Sequence, residues 1–151
     1  MCVIDTNVAS ELMRPSPAPA VAAWIAERDA EELYLTAVSE AELHYGVAIM
    51  PVGRRRDELE AIMFRWLDPG FAGRILPVDS AAARAYAHIA ASRRSPGRPI
   101  APADCQIAVI ARSRDMAVAK RNVRDFEGLG IEVVNPWTTV AWALRRKFRA
   151  C

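Results

Sequence analysis

The sequence predicts an α/β domain in three layers, a short parallel sheet flanked by helices on both faces, and two observations lead to that class. Short apolar runs of strand length alternate along the chain with longer segments whose apolar residues fall at helical spacing. The chain has 151 residues, 52% of them hydrophobic and 25% charged, so there is enough apolar surface for one complete core but not two.

Taken in order, Cys2-Val3-Ile4 reads as a buried strand, and Asp5-Thr6-Asn7 opens a short helix that Pro15 and Pro17 close. A second helix is expected over about residues 18–28, with Val21, Trp24 and Ile25 on one face, before a second strand at Leu33-Tyr34-Leu35-Thr36. Ser39 opens the next helix, which carries Glu42, Leu43 and Val47. After a turn at 51–53, residues 54–67 place Leu59, Ile62, Met63 and Trp66 at helical spacing behind a solvated basic start, Arg54-Arg55-Arg56. A third strand fits 75–78, and Asp79 caps a helix running to about Arg93. Ser95-Pro96-Gly97-Arg98-Pro99 is a loop, and the helix after it starts near Pro102 and contains Ile107, Ile110 and Ala111. Residues 116–119 and 131–134 supply two further strands. In a parallel sheet of this kind, ligands are expected beyond the carboxyl ends of the strands, near the point where strand order reverses. No internal repeat, low-complexity tract or linker interrupts the pattern.

Charge is unevenly distributed. Arg145, Arg146, Lys147 and Arg149 are four of the 20 basic residues, which leaves 16 basic against 18 acidic residues for 1–144. A body so close to neutral does not coat nucleic acid by bulk charge, so any such contact is local or assisted by a partner. No apolar run reaches the roughly 18 residues of a membrane span, and the early strand leaves no room for a signal peptide. Cys2, Cys105 and Cys151 are odd in number and lack a C-x-x-C pairing, so reduced thiols in a cytoplasmic protein are expected.

Asp5 follows the first strand, Glu42 lies on the helix after the second, Asp104 begins a helix, and Asn122 follows the fourth strand. Each has a purely structural reading. Asp5 or Thr6 caps a helix, Ser39 and Glu42 match a capping box, Asp104 suits a first helical turn, and Asn122 is an ordinary turn former. Together they would bring carboxylates to one edge of the sheet, where unit charges about 4 Å apart repel by about 4 kcal/mol at an effective dielectric near 20. Such a cluster needs protonation or a bound cation, and hard carboxylate oxygens suit Mg²⁺ or Mn²⁺, whereas zinc prefers His or Cys.

Four ordered blocks carry a resemblance: Val3-Ile4-Asp5-Thr6-Asn7, Ala41-Glu42-Leu43-His44-Tyr45-Gly46, Ile100 through Ala108 around Pro102 and Asp104, and Arg121-Asn122-Val123-Arg124-Asp125-Phe126. The chain resembles PIN-domain ribonucleases, most nearly the VapC toxins in their FitB-like branch, over residues 2–137. That resemblance implies a PIN-like domain over 1–137 and a Mg²⁺ centre in which Mn²⁺ can substitute. It further implies endonucleolytic cutting of RNA, a cognate antitoxin, operator DNA reached only through the antitoxin complex, and a homodimer. Asp5 and Asp104 would be the principal metal ligands, with Glu42 completing the group directly or through water. Asn122 would support the site, with Asp125 a further supporting candidate.

The family commonly has Thr or Ser two residues before the position of Asn122, and this chain has Lys120. Three readings are open for that lysine: a phosphate contact, a positive charge that weakens metal binding, or a solvent-facing side chain. With a weakened metal centre the chain would be a PIN-fold binding module acting mainly through an antitoxin and operator complex. Arg93, Arg94 and Arg98 precede the Asp104 helix and could guide an RNA backbone. Residues 138–151 place Val140, Ala141, Leu144 and Phe148 on one stripe with basic residues opposite, which predicts a basic amphipathic helical extension. A phosphoacceptor receiver domain shares the alternation of strands and helices, but receivers usually show adjacent acidic residues after the first strand and a phosphoacceptor Asp after the third, whereas here Thr6 follows Asp5 and Asp79 follows a Pro-Val strand end. Neither His44 nor His88 has a catalytic partner at a recognisable spacing, and no nucleophile-elbow, zincin, P-loop or dinucleotide motif occurs.

Overall fold

A computed structural model describes residues 1–94, 97 and 99–138. Strand β1 (Cys2–Ile4) lies at the centre of a five-stranded sheet, paired in parallel with β2 (Leu33–Thr36) on one side and β4 (Ala117–Ala119) on the other. The edges are β3 (Ile75–Leu76), parallel to β2, and β5 (Val133–Val134), parallel to β4, giving the order β3-β2-β1-β4-β5. The chain starts in the middle, builds outward through β2 and β3, and returns to place β4 against β1. Strand order therefore reverses beside β1, the place at which sheets of this kind take ligands, beyond the carboxyl ends of the strands.

Alternation along these short strands makes the two cores. Ile4, Leu35, Ala119 and Val134 face one apolar cluster, while Val3, Val118 and Val133 face the other. The first cluster is covered by α1 (Thr6–Leu12), α2 (Pro19–Ala26) and α4 (Arg54–Leu67), through residues such as Val8, Trp24 and Met63. The second is covered by α5 (Ser80–Arg94) and α6 (Pro102–Arg112), in which Ile107 through Ala111 are all fully buried. Helix α3 (Ala37–Ala48) serves both, with Leu43 and Val47 in the first cluster and Val38 packed against the second. The three-layer α/β architecture is the one expected, and among the described residues no helix is long and apolar enough to cross a membrane.

Several boundaries differ from the sequence reading, for local reasons. Helix α3 opens at Thr36, not Ser39: the Thr36 hydroxyl accepts the Ser39 amide at 3.0 Å, so the capping box expected at Ser39 and Glu42 does not form. The strands expected over 75–78, 116–119 and 131–134 shorten to two or three residues. At one of these junctions, Asp115 adopts φ 52° and the Met116 amide reaches back to the Ala111 carbonyl at 3.0 Å, closing α6 in a tight turn before β4. Asp79 caps α5 as expected, accepting the Ala82 amide at 2.9 Å. Of the expected C-terminal helical extension, everything after Thr138 lies outside the described residues, as does Arg98.

Candidate active site

The parallel register assembles the site. Cys2, Val3 and Ile4 pair with Ala117, Val118 and Ala119, so continuing one step sets Asp5 beside Lys120, and the Asp5 amide donates to the Ala119 carbonyl at 3.0 Å. The other pairing, Cys2 with Leu33 and Val3 with Tyr34, sets Asp5 beside Thr36 in the same way. Asp5 is 2% exposed, and both of its oxygens are committed. Oδ1 lies 3.5 Å from Lys120 Nζ, while Oδ2 accepts from the Asn7 amide at 3.4 Å and from Asn7 Nδ2 at 3.2 Å. Asp5 is therefore a helix cap as well as a site residue.

Asp104 reaches the same place from the first turn of α6, and its Oδ1 accepts from Lys120 Nζ at 2.6 Å. Lys120 is 3% exposed, with its ammonium also 5.0 Å from the Phe126 ring centroid. The solvent-facing reading of this lysine is thus overturned. Repulsion between Asp5 and Asp104 was expected to require protonation or a bound ion, and it is the chain's own ammonium that offsets it. A buried charge is tolerated only when paired, and here each partner supplies the other's counter-charge.

Burial pushes the Asp5 carboxyl above its ordinary value; Lys120 opposes that rise, and the charges of Asp104 and Glu42 add to it. For Lys120, burial disfavours the charged form, but Asp5 and Asp104 outweigh it and hold its pKa above the ordinary lysine value. The charges of Asp104 and Glu42 both reach Asp5, which puts the three carboxylates in one electrostatic neighbourhood. Glu42 is exposed on α3 and linked to α1 through Thr6, whose hydroxyl donates to Glu42 Oε2 at 2.5 Å. It also borders an open groove of about 560 Å³ walled by Met13, Leu43, Val47 and Ile62. Asn122 is exposed and donates Nδ2 to Asp125 Oδ2 at 2.7 Å.

The donor set is right in kind for a hard divalent cation, since it is made of carboxylates without His or Cys. As the side chains stand, however, no three His, Cys, Asp or Glu residues among those described close around one point, and an ammonium lies against the Asp5–Asp104 pair. Arg93 is not free to guide a nucleic acid: it donates to the backbone carbonyls of Asp125 at 2.7 Å and Glu127 at 3.3 Å, fastening that loop to α5. Burial raises the Cys2 thiol to about 12, so it is no nucleophile at neutral pH. The residue whose place the sequence reading missed is Lys120. The sequence shows only that each of these strands is followed by a charge, of opposite sign; that the two strands are adjacent and in register is a fact of the folded sheet.

A parallel sheet that starts at its own centre, with aspartates converging where strand order reverses, defines an acidic-site α/β class, and residues 2–132 match the PIN domain family. The chain belongs to that family. Within it, the chain is similar to VapC ribonuclease Y4jK of Sinorhizobium fredii, 42% identical over 137 residues that cover 91% of this chain and 98% of that protein. It is also similar to toxin FitB of Neisseria gonorrhoeae, 39% identical over 137 residues that cover 91% of this chain and 99% of that protein. Among solved structures, it matches a chain of FitAB bound to an IR36 DNA fragment with a TM-score of 0.86 and 39% identity, covering 94% of this chain and 99% of that one. The resemblance carried by the four motif blocks is borne out in family and fold.

Proposed function

We propose that the chain is the toxin of a toxin–antitoxin pair, an endoribonuclease that hydrolyses RNA phosphodiester bonds with Mg²⁺, or Mn²⁺ in its place. The observation that carries this reading is the convergence of buried Asp5 and half-buried Asp104 at the carboxyl end of the sheet, with Glu42 in the same electrostatic neighbourhood. The names of the relatives support it, one being called a ribonuclease and another a toxin. Asp5 and Asp104 would hold the ion, with Glu42 contributing directly or through water. When bound, such an ion lowers the pKa of a coordinated water and polarises the phosphate.

The chain's own contribution is positioning. Asn7 fixes the orientation of the Asp5 carboxylate, and Thr6 orients Glu42, whose exposed carboxylate would take a proton from water. Asn122 and Asp125 support the rim beside Lys120. A cognate antitoxin is the expected partner, with operator DNA contacted through that complex, as supported by the likeness to FitAB on DNA.

The test is Asp104→Asn in a chain shown to be folded. Loss of several kcal/mol of charge stabilisation corresponds to about a hundredfold or greater fall in RNase rate with Mg²⁺. Full activity in that variant would remove the assignment. One observation favours a second reading, the catalytically weak binding module: the Lys120 ammonium already lies against the carboxylate pair. Saturable Mn²⁺ binding that is lost in Asp5→Asn supports the enzyme, whereas no binding at millimolar Mn²⁺ supports the module.

A further inference from the structure

We propose that Lys120 is a built-in counter-ion, which keeps the Asp5–Asp104 pair assembled without metal and must be displaced before a divalent cation can engage that pair. The second half of this inference rests on the metal-dependent reading; the first half does not.

The geometry points to a lysine that belongs to the site. Its backbone is set beside Asp5 by the β1–β4 register, and its amide donates a hydrogen bond to the Val134 carbonyl at 2.9 Å. Its Nζ touches Asp104 Oδ1 at 2.6 Å and lies 3.5 Å from Asp5 Oδ1, and the side chain is 3% exposed. A bound Mg²⁺ sits about 2.0–2.1 Å from its oxygens, so an ion shared by Asp5 and Asp104 would press against this ammonium. Two cations so close repel strongly in a poorly hydrated site, and the two forms are therefore exclusive. The four-carbon stem allows the exchange, because Lys is a flexible point charge and not a rigid fork.

Two consequences follow. Without metal, the native pair is already compensated, so chelation leaves the fold intact. With metal, the measured affinity is reduced by the fraction of molecules in which Lys120 is withdrawn, and removing the lysine lifts that reduction.

The experiment uses the full chain and Lys120→Thr, each melted in EDTA and in Mn²⁺, with Mn²⁺ binding followed by the electron paramagnetic resonance signal of the free ion. The parent is expected to melt cooperatively in EDTA and to rise less on adding Mn²⁺ than the variant does. Lys120→Thr is expected to melt lower in EDTA, to recover in Mn²⁺, and to bind Mn²⁺ at least about tenfold more tightly than the parent. Should Lys120→Thr fail to fold in EDTA yet fold with Mn²⁺, the inference is supported in the same way. Should it fold in neither medium, Lys120→Gln, neutral with most of the stem kept, is read by the same criteria. Equal melting of parent and variant in EDTA would overturn the counter-ion role. Equal Mn²⁺ affinity would overturn the displacement and leave the nuclease reading standing. Absence of Mn²⁺ binding in every folded variant, with the EDTA difference still present, would overturn the displacement and the metal-dependent reading together while supporting the counter-ion.

Discussion

At the scale of single residues, the site is a set of side chains that each satisfy a structural demand as well as a chemical one. Asp5 caps α1 while it faces Lys120, and Thr6 lies in the first turn of that helix while it orients Glu42. Thr6→Val keeps the shape of the side chain and removes only the hydroxyl. Partners that orient a metal-ligating carboxylate are typically worth about 10–100-fold in activity or metal affinity, and a loss of that size is expected in RNase assays with the melting temperature little changed. Thr6→Ser is expected to restore most of it, and activity equal to the parent in Thr6→Val would show that Glu42 needs no such support. The candidate carboxylates were legible in the sequence because Asp5, Glu42 and Asp104 sit in short contiguous motifs next to element boundaries. The partner of each was not, because Lys120 lies 16 residues beyond Asp104 and Thr6 lies 36 residues before Glu42.

At the scale of elements, helix ends are secured by specific acceptors that periodicity does not reveal. Glu11 on α1 is buried, accepts the Ala18 amide at 2.8 Å where α2 begins, and pairs with Arg14 at 3.2 Å. Glu11→Ala leaves that amide without its acceptor and is expected to cost about 1–3 kcal/mol in urea unfolding. An unchanged midpoint would mean that water replaces the bond. Asp79, at the start of α5, provides a pH signature. The Ala82 amide, and after it the facing Arg114 guanidinium, hold its carboxyl below the ordinary 3.8. Because the folded pKa is the lower one, this contribution is present above about pH 4 and is lost as pH falls through the folded value. The melting temperature of the parent should therefore approach that of Asp79→Asn on acidification below pH 4, and a constant gap between the two melting curves would contradict the assignment.

At the scale of the whole molecule, the sheet is most secure at its centre. Val3, Ile4, Val118 and Ala119 are fully buried on strands paired on both sides, whereas β3 and β5 are two-residue edges. Native-state hydrogen exchange should find the β1 and β4 amides opening only with global unfolding, and the β3 and β5 amides exchanging earlier through local opening. Uniform protection across the five strands would speak against this gradient. Asp5 and Lys120 follow the two central strands, so this pair is anchored at the middle of the sheet, while Asp104 and Glu42 reach it from helices α6 and α3.

Much about this protein followed from local pattern alone. The short apolar runs, the helical spacing of 54–67 and the turn residues between them determined an α/β domain and nearly every element, because such signals are complete within a short stretch of neighbouring residues. Edge strands were drawn too long, since an apolar run extends past the point where a partner backbone is available to pair. The strand order and register were decided only by tertiary structure. They brought a lysine from the end of β4 to the aspartate at the end of β1 and sealed both from water. A sequence displays the sign of each charge, but whether two opposite charges neutralise one another depends on a separation of a few ångströms that only the folded chain sets.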